Sequence, residues 1–453
     1  MAIPWWGLLP FVAMLGTIAI APLVSVTRRA WEDNLVKLGV AALLGIPVAL
    51  WMWFGFDRQL VLHSLEEYAQ FITLLFSLYV VSGGLFVAGD IRATPRNNTI
   101  MLLIGGVLAS FIGTTGAAML LIRPLLNTNR EREHKVHTVI FAILLVANCG
   151  GLLTPLGDPP LYIGLMRGVP FTWTFSMWGE WLFINLLLVA TYYGQDRLYY
   201  SKESSFAIAW DAASSSPLAL KGKLNICWFA LIIAAVALLG DYTWLKIAVQ
   251  LAAAAASYCI GSRAVRIEDN EFTWHPIIEV AVLFIGIFLT MIPALEFLRA
   301  HANQLPLNEY TLFGFTGILS SVLDNAPTYL TFFEMSTQLD PLGEPLVAGV
   351  PQLYLTAVSL GAVTCGAITY IGNGPNFMVK SVAEERGVKM PSFGGYIAWT
   401  LRYLVPILVS MVLIFLSTGA LPLLLGIGLA LLIAGDALRL TRAHPLPHSE
   451  PAT

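Results

Sequence analysis

The sequence predicts an all-α polytopic membrane protein with about eleven transmembrane helices, two re-entrant hairpins in an inverted repeat, and two broken helices. The composition indicates this class, because 57% of the 453 residues are hydrophobic and 12% are charged. Soluble domains carry about 25% charged residues. Polar, Gly/Pro-rich stretches at 151–160 and 366–375 interrupt two apolar runs. They predict broken helices. The backbone N–H and C=O groups freed at each break cannot form hydrogen bonds with lipid.

The predicted crossings are apolar runs of membrane-spanning length. They lie near residues 4–24, 38–56, 68–88, 137–166, 180–198, 224–240, 243–261, 276–298, 351–380, 397–417 and 419–438. The first run lacks a basic leading region and an obvious cleavage motif, so we expect a retained helix rather than a removed signal peptide.

The apolar stretch 98–122 is predicted to be a hairpin that enters and leaves the membrane on the same side. Its flanking loops, 89–97 and 123–136, are both basic, and the positive-inside rule places both in the cytoplasm. The breaker cluster Gly113-Thr-Thr-Gly116 lies in the middle of the stretch, where the tip of a hairpin would be.

The stretch 310–335 is predicted to be a second hairpin, entering from the opposite side. Its central breaker is Asp324-Asn-Ala-Pro327, and Arg299 is the only Lys or Arg residue in its flanks. Most of the 25 Lys and Arg residues then fall in loops assigned to the inside. This distribution predicts an N-terminus outside and a C-terminus in the cytoplasm.

The two halves of the chain align as inverted repeats, because they begin on opposite sides of the membrane. The helices outside the repeats, including 419–438, are expected to form scaffold and oligomer contacts. The expected divisions are 1–67 (N-terminal scaffold helices), 68–198 (repeat one, with hairpin 98–122 and broken helix 137–166), 199–275 (cytoplasmic linker and two scaffold helices), 276–417 (repeat two, with hairpin 310–335 and broken helix 351–380), and 418–453 (last helix and cytoplasmic tail).

Asp158, in the first break, is the strongest candidate for binding an ion. A carboxylate at membrane depth is costly and is usually functional. Beside freed backbone carbonyls it can bind a hard cation, or exchange that cation for a proton. The alternative is that Asp158 only caps the following half-helix. Asp324 and Asn325, at the second hairpin tip, are the next candidates, with a turn that bonds its own backbone as the alternative.

The remaining candidate residues supply hydroxyl, amide or backbone oxygens at the two hairpin tips and the two breaks. They are Thr114, Thr115, Thr154, Gly157, Thr369, Asn373 and Asn376. The threonines have an alternative role, because Thr hydroxyls often bond the helix backbone in membranes. Asn148 is a weaker candidate, since polar residues also join helices to one another.

Several function classes are disfavoured by the sequence. It has no Walker sequence and no His/Cys cluster with metal-ligand spacing, which argues against ATP-driven transport and against a cofactor. The net charge of -3 suggests no nucleic-acid partner. An intramembrane enzyme would need a nucleophile–base pair or metal ligands at depth, and only Asp158 with Asp324 is available. We therefore expect a transporter and not an enzyme.

These motifs resemble the ion transporter superfamily, and within it most closely the bacterial NhaD-like sodium/proton antiporters, a group also related to citrate transporters. The resemblance covers 68–198 and 276–417. Thr154-Pro-Leu-Gly-Asp158 is similar to the Thr-Pro-x-Gly-Asp of NhaD-type proteins. Leu323-Asp-Asn-Ala-Pro327 is similar to the Leu-Asp-Asn-x-Pro that NhaD-type and arsenite-efflux proteins share.

The resemblance implies a homodimer in the bacterial cytoplasmic (inner) membrane that works by an elevator-type movement and exchanges Na+ or Li+ for H+. Carried over by position, it implies cation sites between each hairpin tip and the facing break, with Na+ at Asp158, Thr114, Asn325 and Asn373. The alternative is a sodium-coupled carrier of citrate or another organic anion. No Lys or Arg lies in the four site segments, and the tips lack the Ser-Asn-Thr of dicarboxylate symporters, which argues against that cargo.

Overall fold

The computed structural model describes residues 3–22, 24–240, 242–340 and 343–445. These residues are mainly helical, so the predicted all-α polytopic membrane fold is confirmed. The predicted tail runs on to residue 453, and its part after residue 445 lies outside the described residues.

The described residues up to 214 form ten α-helices and one β-strand. The helices are α1 (Leu9–Ile20), α2 (Ser25–Trp31), α3 (Asn34–Gly55), α4 (Arg58–Ser82), α5 (Pro95–Ile112), α6 (Thr114–Thr128), α7 (Val136–Leu145), α8 (Pro159–Met166), α9 (Trp178–Tyr200) and α10 (Ser205–Ser214), and the strand is β1 (Phe86–Asp90). Short 3-10 turns occupy Trp5–Leu8, Cys149–Leu153 and Phe171–Met177.

The described residues from 216 onward form ten further α-helices and three strands. The helices are α11 (Asn225–Leu238), α12 (Thr243–Ile260), α13 (His275–His301), α14 (Glu309–Val322), α15 (Asn325–Ser336), α16 (Gln352–Cys365), α17 (Gly374–Glu385), α18 (Phe393–Tyr403), α19 (Val405–Met411) and α20 (Ala420–Ala443). The strands are β2 (Ser216–Lys221), β3 (Leu346–Val347) and β4 (Val350–Pro351). This part of the chain also contains 3-10 turns at Ala302–Gln304 and Gly366–Ile368, and π-helical turns at Val265–Asp269 and Val412–Leu416.

Among the described residues, 7 helices are long and apolar enough to cross a membrane. They are Asn34–Gly55, Val136–Leu153, Phe171–Tyr200, Thr243–Ile260, His275–His301, Phe393–Leu416 and Ala420–Ala443. Three predicted crossings are shorter apolar helices, at Trp5–Ile20, Asn225–Leu238 and Gln352–Ile368. The predicted crossing 68–88 corresponds to α4, which begins ten residues earlier at Arg58 because a polar first turn hides its start from an apolar pattern.

Both predicted hairpins are pairs of helices that turn back on each other. Helices α5 and α6 meet at Gly113, whose φ of 82° is a conformation that favours glycine. Helices α14 and α15 meet at Leu323 and Asp324. The two hairpin tips therefore fall within the breaker clusters that predicted them.

The helices pack in two groups. The first helical group consists of α1, α3, α4, α11, α12 and α13, and the second consists of α5 to α9 and α14 to α20. The groups touch where α4 lies against α6 and α8, and where α13 lies against α15. Helix α20 packs on α9 and α19, so it lies with the second group.

Strand β1 pairs antiparallel with β2, which the sequence did not predict. Val87 lies opposite Leu220, and Ala88 lies opposite Ala219. The pairing brings the segment after α4 to the linker between the two halves. These two segments border loops that the charge pattern assigned to one side of the membrane, and the pairing agrees with that assignment.

Candidate functional site

Both predicted broken helices are interrupted where the Gly/Pro-rich stretches lie. Helix α7 ends at Leu145, and the chain resumes as α8 after Asp158 at its N-cap. Helix α16 ends at Cys365, and α17 begins after Asn373 at its N-cap. Neither N-cap side chain accepts a hydrogen bond from the backbone of its own helix. Capping therefore does not explain Asp158, and its oxygens are used elsewhere.

Glycines allow the chain to cross itself closely within each break. A Cβ added at Gly157 would lie 1.9 Å from the carbonyl oxygen of Gly151. At the corresponding place in the second break, a Cβ at Gly372 would lie 2.6 Å from the carbonyl oxygen of Gly366. Any side chain there would overlap backbone, so both breaks require glycine at these positions.

The Asp158 carboxylate lies at the junction of four segments. Its Oδ1 accepts hydrogen bonds from Thr114 Oγ1 at 2.8 Å and from Asn373 Nδ2 at 3.2 Å. Its Oδ2 accepts one from Asn325 Nδ2 at 2.5 Å. Asp158 is 1% exposed. The structure thus brings together the four residues that the sequence proposed as Na+ ligands, one from each hairpin tip and one from each break.

The carbonyl oxygen of the Asn325 side chain has no hydrogen-bond partner among the described residues, although the residue is fully buried. A buried acceptor without a partner is costly. It belongs to the same side chain whose amide nitrogen contacts Asp158. Carboxylate and amide oxygens are ligands that hard cations prefer, so this donor set fits Na+.

Thr154 and Thr369 attach the hairpins to the breaks. Thr154 Oγ1 donates to the backbone carbonyl of Ser110, and Thr369 Oγ1 donates to that of Ser321 at 2.5 Å. Each hydroxyl also accepts a backbone N–H from two residues further on, at 3.2 Å. The two halves of the chain thus repeat one local arrangement. Both threonines lie next to the site, with their hydroxyls bound to backbone.

Three other candidates contribute in different ways. The backbone carbonyl of Gly157 accepts the N–H of Thr114 at 2.8 Å, which joins the first tip to the first break. Asp324 Oδ1 accepts the N–H of Ala326 at 3.0 Å, which is the turn anticipated as the alternative for this residue. Asp324 and Thr115 both line the same cavity as Asp158.

Asn148 is a central residue that sequence reasoning ranked low. Its Nδ2 donates to Asn376 Oδ1 at 2.6 Å, and its Oδ1 accepts from Asn373 Nδ2 at 3.2 Å. Asn376 in turn donates to the carbonyls of Gly366 and Thr369. Asn148 therefore connects the first break to the second. The feature of the sequence that could have indicated this role is the position of Asn148 just before Gly150-Gly151 in the first break.

A cavity of about 930 Å³ leads from Asp158 toward one end of the molecule. The first helical group lines it with residues such as Leu74 and Phe284, and the second group lines it with the site. At its far end it reaches Lys37 and Lys380. These lysines lie in or beside segments that the charge pattern assigned to the cytoplasmic side.

The cavity is more acidic than basic. The described lining residues include six carboxylates, which are Glu32, Asp158, Glu279, Asp324, Glu384 and Glu385. They also include three Lys or Arg side chains, Arg28, Lys37 and Lys380, together with His275. Two of the basic groups are already paired, since Lys37 Nζ lies 2.7 Å from Glu279 and Lys380 Nζ lies 2.7 Å from Glu384. This charge balance attracts cations more than carboxylate anions.

Buried polar groups at two helix breaks, reached by a cavity between two helical groups, define a multi-pass membrane transporter. A family model described as "Putative citrate transport" matches residues 1–416. The chain belongs to this family, and it is a secondary transporter. No curated protein matches the chain.

Proposed function

We propose that this transporter is a sodium/proton antiporter, exchanging Na+ or Li+ for H+, with Asp158 as the residue that binds either ion. The observation that carries the proposal is the surroundings of the Asp158 carboxylate. It is buried, and the groups that hydrogen-bond it are the neutral side chains of Thr114, Asn325 and Asn373. In the part of the chain that the structure describes, no cationic side chain contacts it, and such a carboxylate favours binding a mobile cation or a proton.

Exchange follows from competition for the same oxygens. A carboxylate that coordinates Na+ does not also bind a proton, so arrival of one ion favours release of the other. The three hydrogen-bond donors orient the carboxylate, and Asn325 adds an unpartnered oxygen beside it. No further cofactor is needed, because the transported ions are the only substrates of this cycle.

The two helical groups suggest how the site reaches both sides of the membrane. Asp158 lies in the second group, and the cavity separates it from the first group on one side. We propose that an elevator-type movement of the second group exposes Asp158 to the opposite side. By the charge pattern, the described state opens to the cytoplasm of a bacterial inner-membrane protein whose N-terminus is outside. The expected partner is a second copy in a homodimer.

A sodium-coupled carrier of citrate or another organic anion is the second candidate, because the family description names citrate. Lys380 and Arg28 in the cavity are groups that such an anion would contact. The excess of carboxylates in the same cavity opposes it. So do the surroundings of Asp158, because no cationic side chain among the described residues binds it. We therefore prefer the antiporter.

A proteoliposome assay separates the two candidates. With an imposed pH gradient, addition of Na+ or Li+ is expected to collapse the gradient, whereas K+ or citrate is not. The readout is a pH-sensitive dye inside the vesicles, and protein-free liposomes are the control. Uptake of labelled citrate without any Na+-dependent collapse of the gradient would replace the antiporter with the anion carrier.

A further inference from the structure

Four charged residues form a compact cluster away from the site, which we name the distal ion cluster: Glu67, Arg167, Arg299 and Glu334. Arg167 Nε lies 2.9 Å from Glu67 Oε1, and Arg167 Nη1 lies 2.7 Å from Glu334 Oε1. Arg299 Nη2 is paired with the other oxygen of Glu334. The side chains of Glu67 and Glu334 are 5% and 3% exposed, so both carboxylates are removed from water.

Two members of the distal ion cluster lie on the helices that begin at the site. Helix α8 follows Asp158 at its N-cap, and Arg167 is its C-cap residue. Helix α15 begins at Asn325, and Glu334 lies in its last turn. The two helices pack on each other. A rigid helix transmits a displacement along its length, so movement of the site also moves Arg167 and Glu334.

The other two members lie on the first helical group. Glu67 is on α4 and Arg299 is in the last turn of α13. The pairs Arg167–Glu67 and Arg299–Glu334 therefore join the two groups, whereas Arg167–Glu334 lies within the second group. The cluster thus contains two contacts that a relative movement must break and one that it can keep.

The distal ion cluster is at the end of the molecule opposite the cavity mouth. On α13 the cavity is lined by residues from His275 to Phe284, and Arg299 follows Phe284 by fifteen residues, or about 22 Å of helix. On α4 the cavity begins at Leu74, about two turns beyond Glu67. The site is thus open at one end, and the two groups are joined by ion pairs at the other.

We propose that the distal ion cluster holds the transporter in the described state, and that Arg167–Glu67 and Arg299–Glu334 separate when the site turns to the opposite side. Glu67, Arg167, Arg299 and Glu334 are then gating residues rather than ion ligands. This inference rests on the proposed elevator-type movement, but not on which ion or anion is carried. Buried ion pairs suit the role, because their separation requires both partners to regain water or new partners.

The test is a distance measurement between the two groups in purified, lipid-reconstituted protein. Spin labels are placed at Val36→Cys on α3 and Glu385→Cys on α17, which border the cavity mouth. The exposed Cys227 and Cys259 are replaced by Ala in the background. Pulsed electron paramagnetic resonance then reports the populations of both states at once.

Neutralising one intergroup contact is expected to shift the populations. In Glu67→Gln, Arg167 keeps Glu334 as its partner, so no buried charge is left alone. We expect a severalfold increase in a shorter-distance population, in which the cavity mouth has closed, and a larger increase when Arg299→Gln is added. If Glu67→Gln fails to fold, Arg299→Gln is the variant to use, because the Arg299 side chain is 39% exposed.

The matched control is Asp436→Asn, which removes an exposed ion pair between Asp436 and Arg439 within α20. It is expected to leave the distance distribution unchanged. Folded Glu67→Gln and Arg299→Gln proteins whose distributions match the parent would overturn the gating role. The distance measurement uses no transported ion, so unchanged distributions would not contradict the ion-exchange proposal. Likewise, a failed exchange assay would not contradict the gating proposal.

Discussion

Asp158→Asn is expected to abolish Na+-dependent exchange while leaving the protein folded. The two side chains have nearly the same size, so packing in the break is retained. The amide cannot bind a proton in exchange for a cation, and its nitrogen cannot accept the hydrogen bonds that Thr114, Asn325 and Asn373 donate. A loss of about 4 kcal/mol in cation binding corresponds to about a thousandfold in affinity.

Exchange rates in proteoliposomes and the elution profile of the purified variant together check this expectation. The control is Asp269→Asn, which removes a carboxylate that pairs with Lys221 at 2.8 Å in the linker between the halves. It is expected to transport like the parent. Parent-like exchange by Asp158→Asn would reduce Asp158 to a structural residue of the break.

Gly157→Ala is expected to destabilise the folded protein by about 3 kcal/mol or more. The added Cβ would lie 1.9 Å from the carbonyl oxygen of Gly151, and that oxygen is backbone, so it cannot rotate away. Displacing the first break would also displace the adjacent Asp158, so transport by any remaining folded protein should fall. The effect is measured as the midpoint of thermal unfolding in detergent, monitored by the fraction of protein that stays monodisperse.

Gly374→Ala is the matched control in the second break, because a Cβ there meets no atom of the described residues within 4 Å. Alanine also forms helix more readily than glycine, and Gly374 is the first residue of α17. Its unfolding midpoint should therefore equal or exceed that of the parent. Equal unfolding midpoints for Gly157→Ala and the parent would mean that Gly157 and Gly151 do not approach each other as closely as described.

The sequence predicted the two breaks and the hairpin tips because their determinants are local. Gly113, Gly157 and Gly372 each permit a backbone arrangement that other residues do not, and such positions are visible in a sequence as polar interruptions of apolar runs. Asp158 was visible for the same reason, since a carboxylate within an apolar run is costly.

Contacts between distant segments were not predictable in this way. Two partners of the Asn148 side chain, Asn376 and Asn373, lie more than 220 residues away along the chain. The distal ion cluster joins Glu67 to Arg167 and Arg299 to Glu334. In the sequence alone, each of these residues resembles a charged residue at the membrane–water interface. Only the packing of α4 against α8 and of α13 against α15 brings them together, and hydrophobic patterns do not specify that packing.

Proton release on addition of Na+ to the purified transporter tests whether Asp158 binds the two ions alternately. The protein is held in weakly buffered detergent solution with a pH indicator, over a series of starting pH values, and choline chloride serves as the salt control. We expect Na+ to release up to about one proton per chain from the parent and none from Asp158→Asn. Equal proton release by parent and variant, or none from the parent at any starting pH, would contradict ion exchange at Asp158.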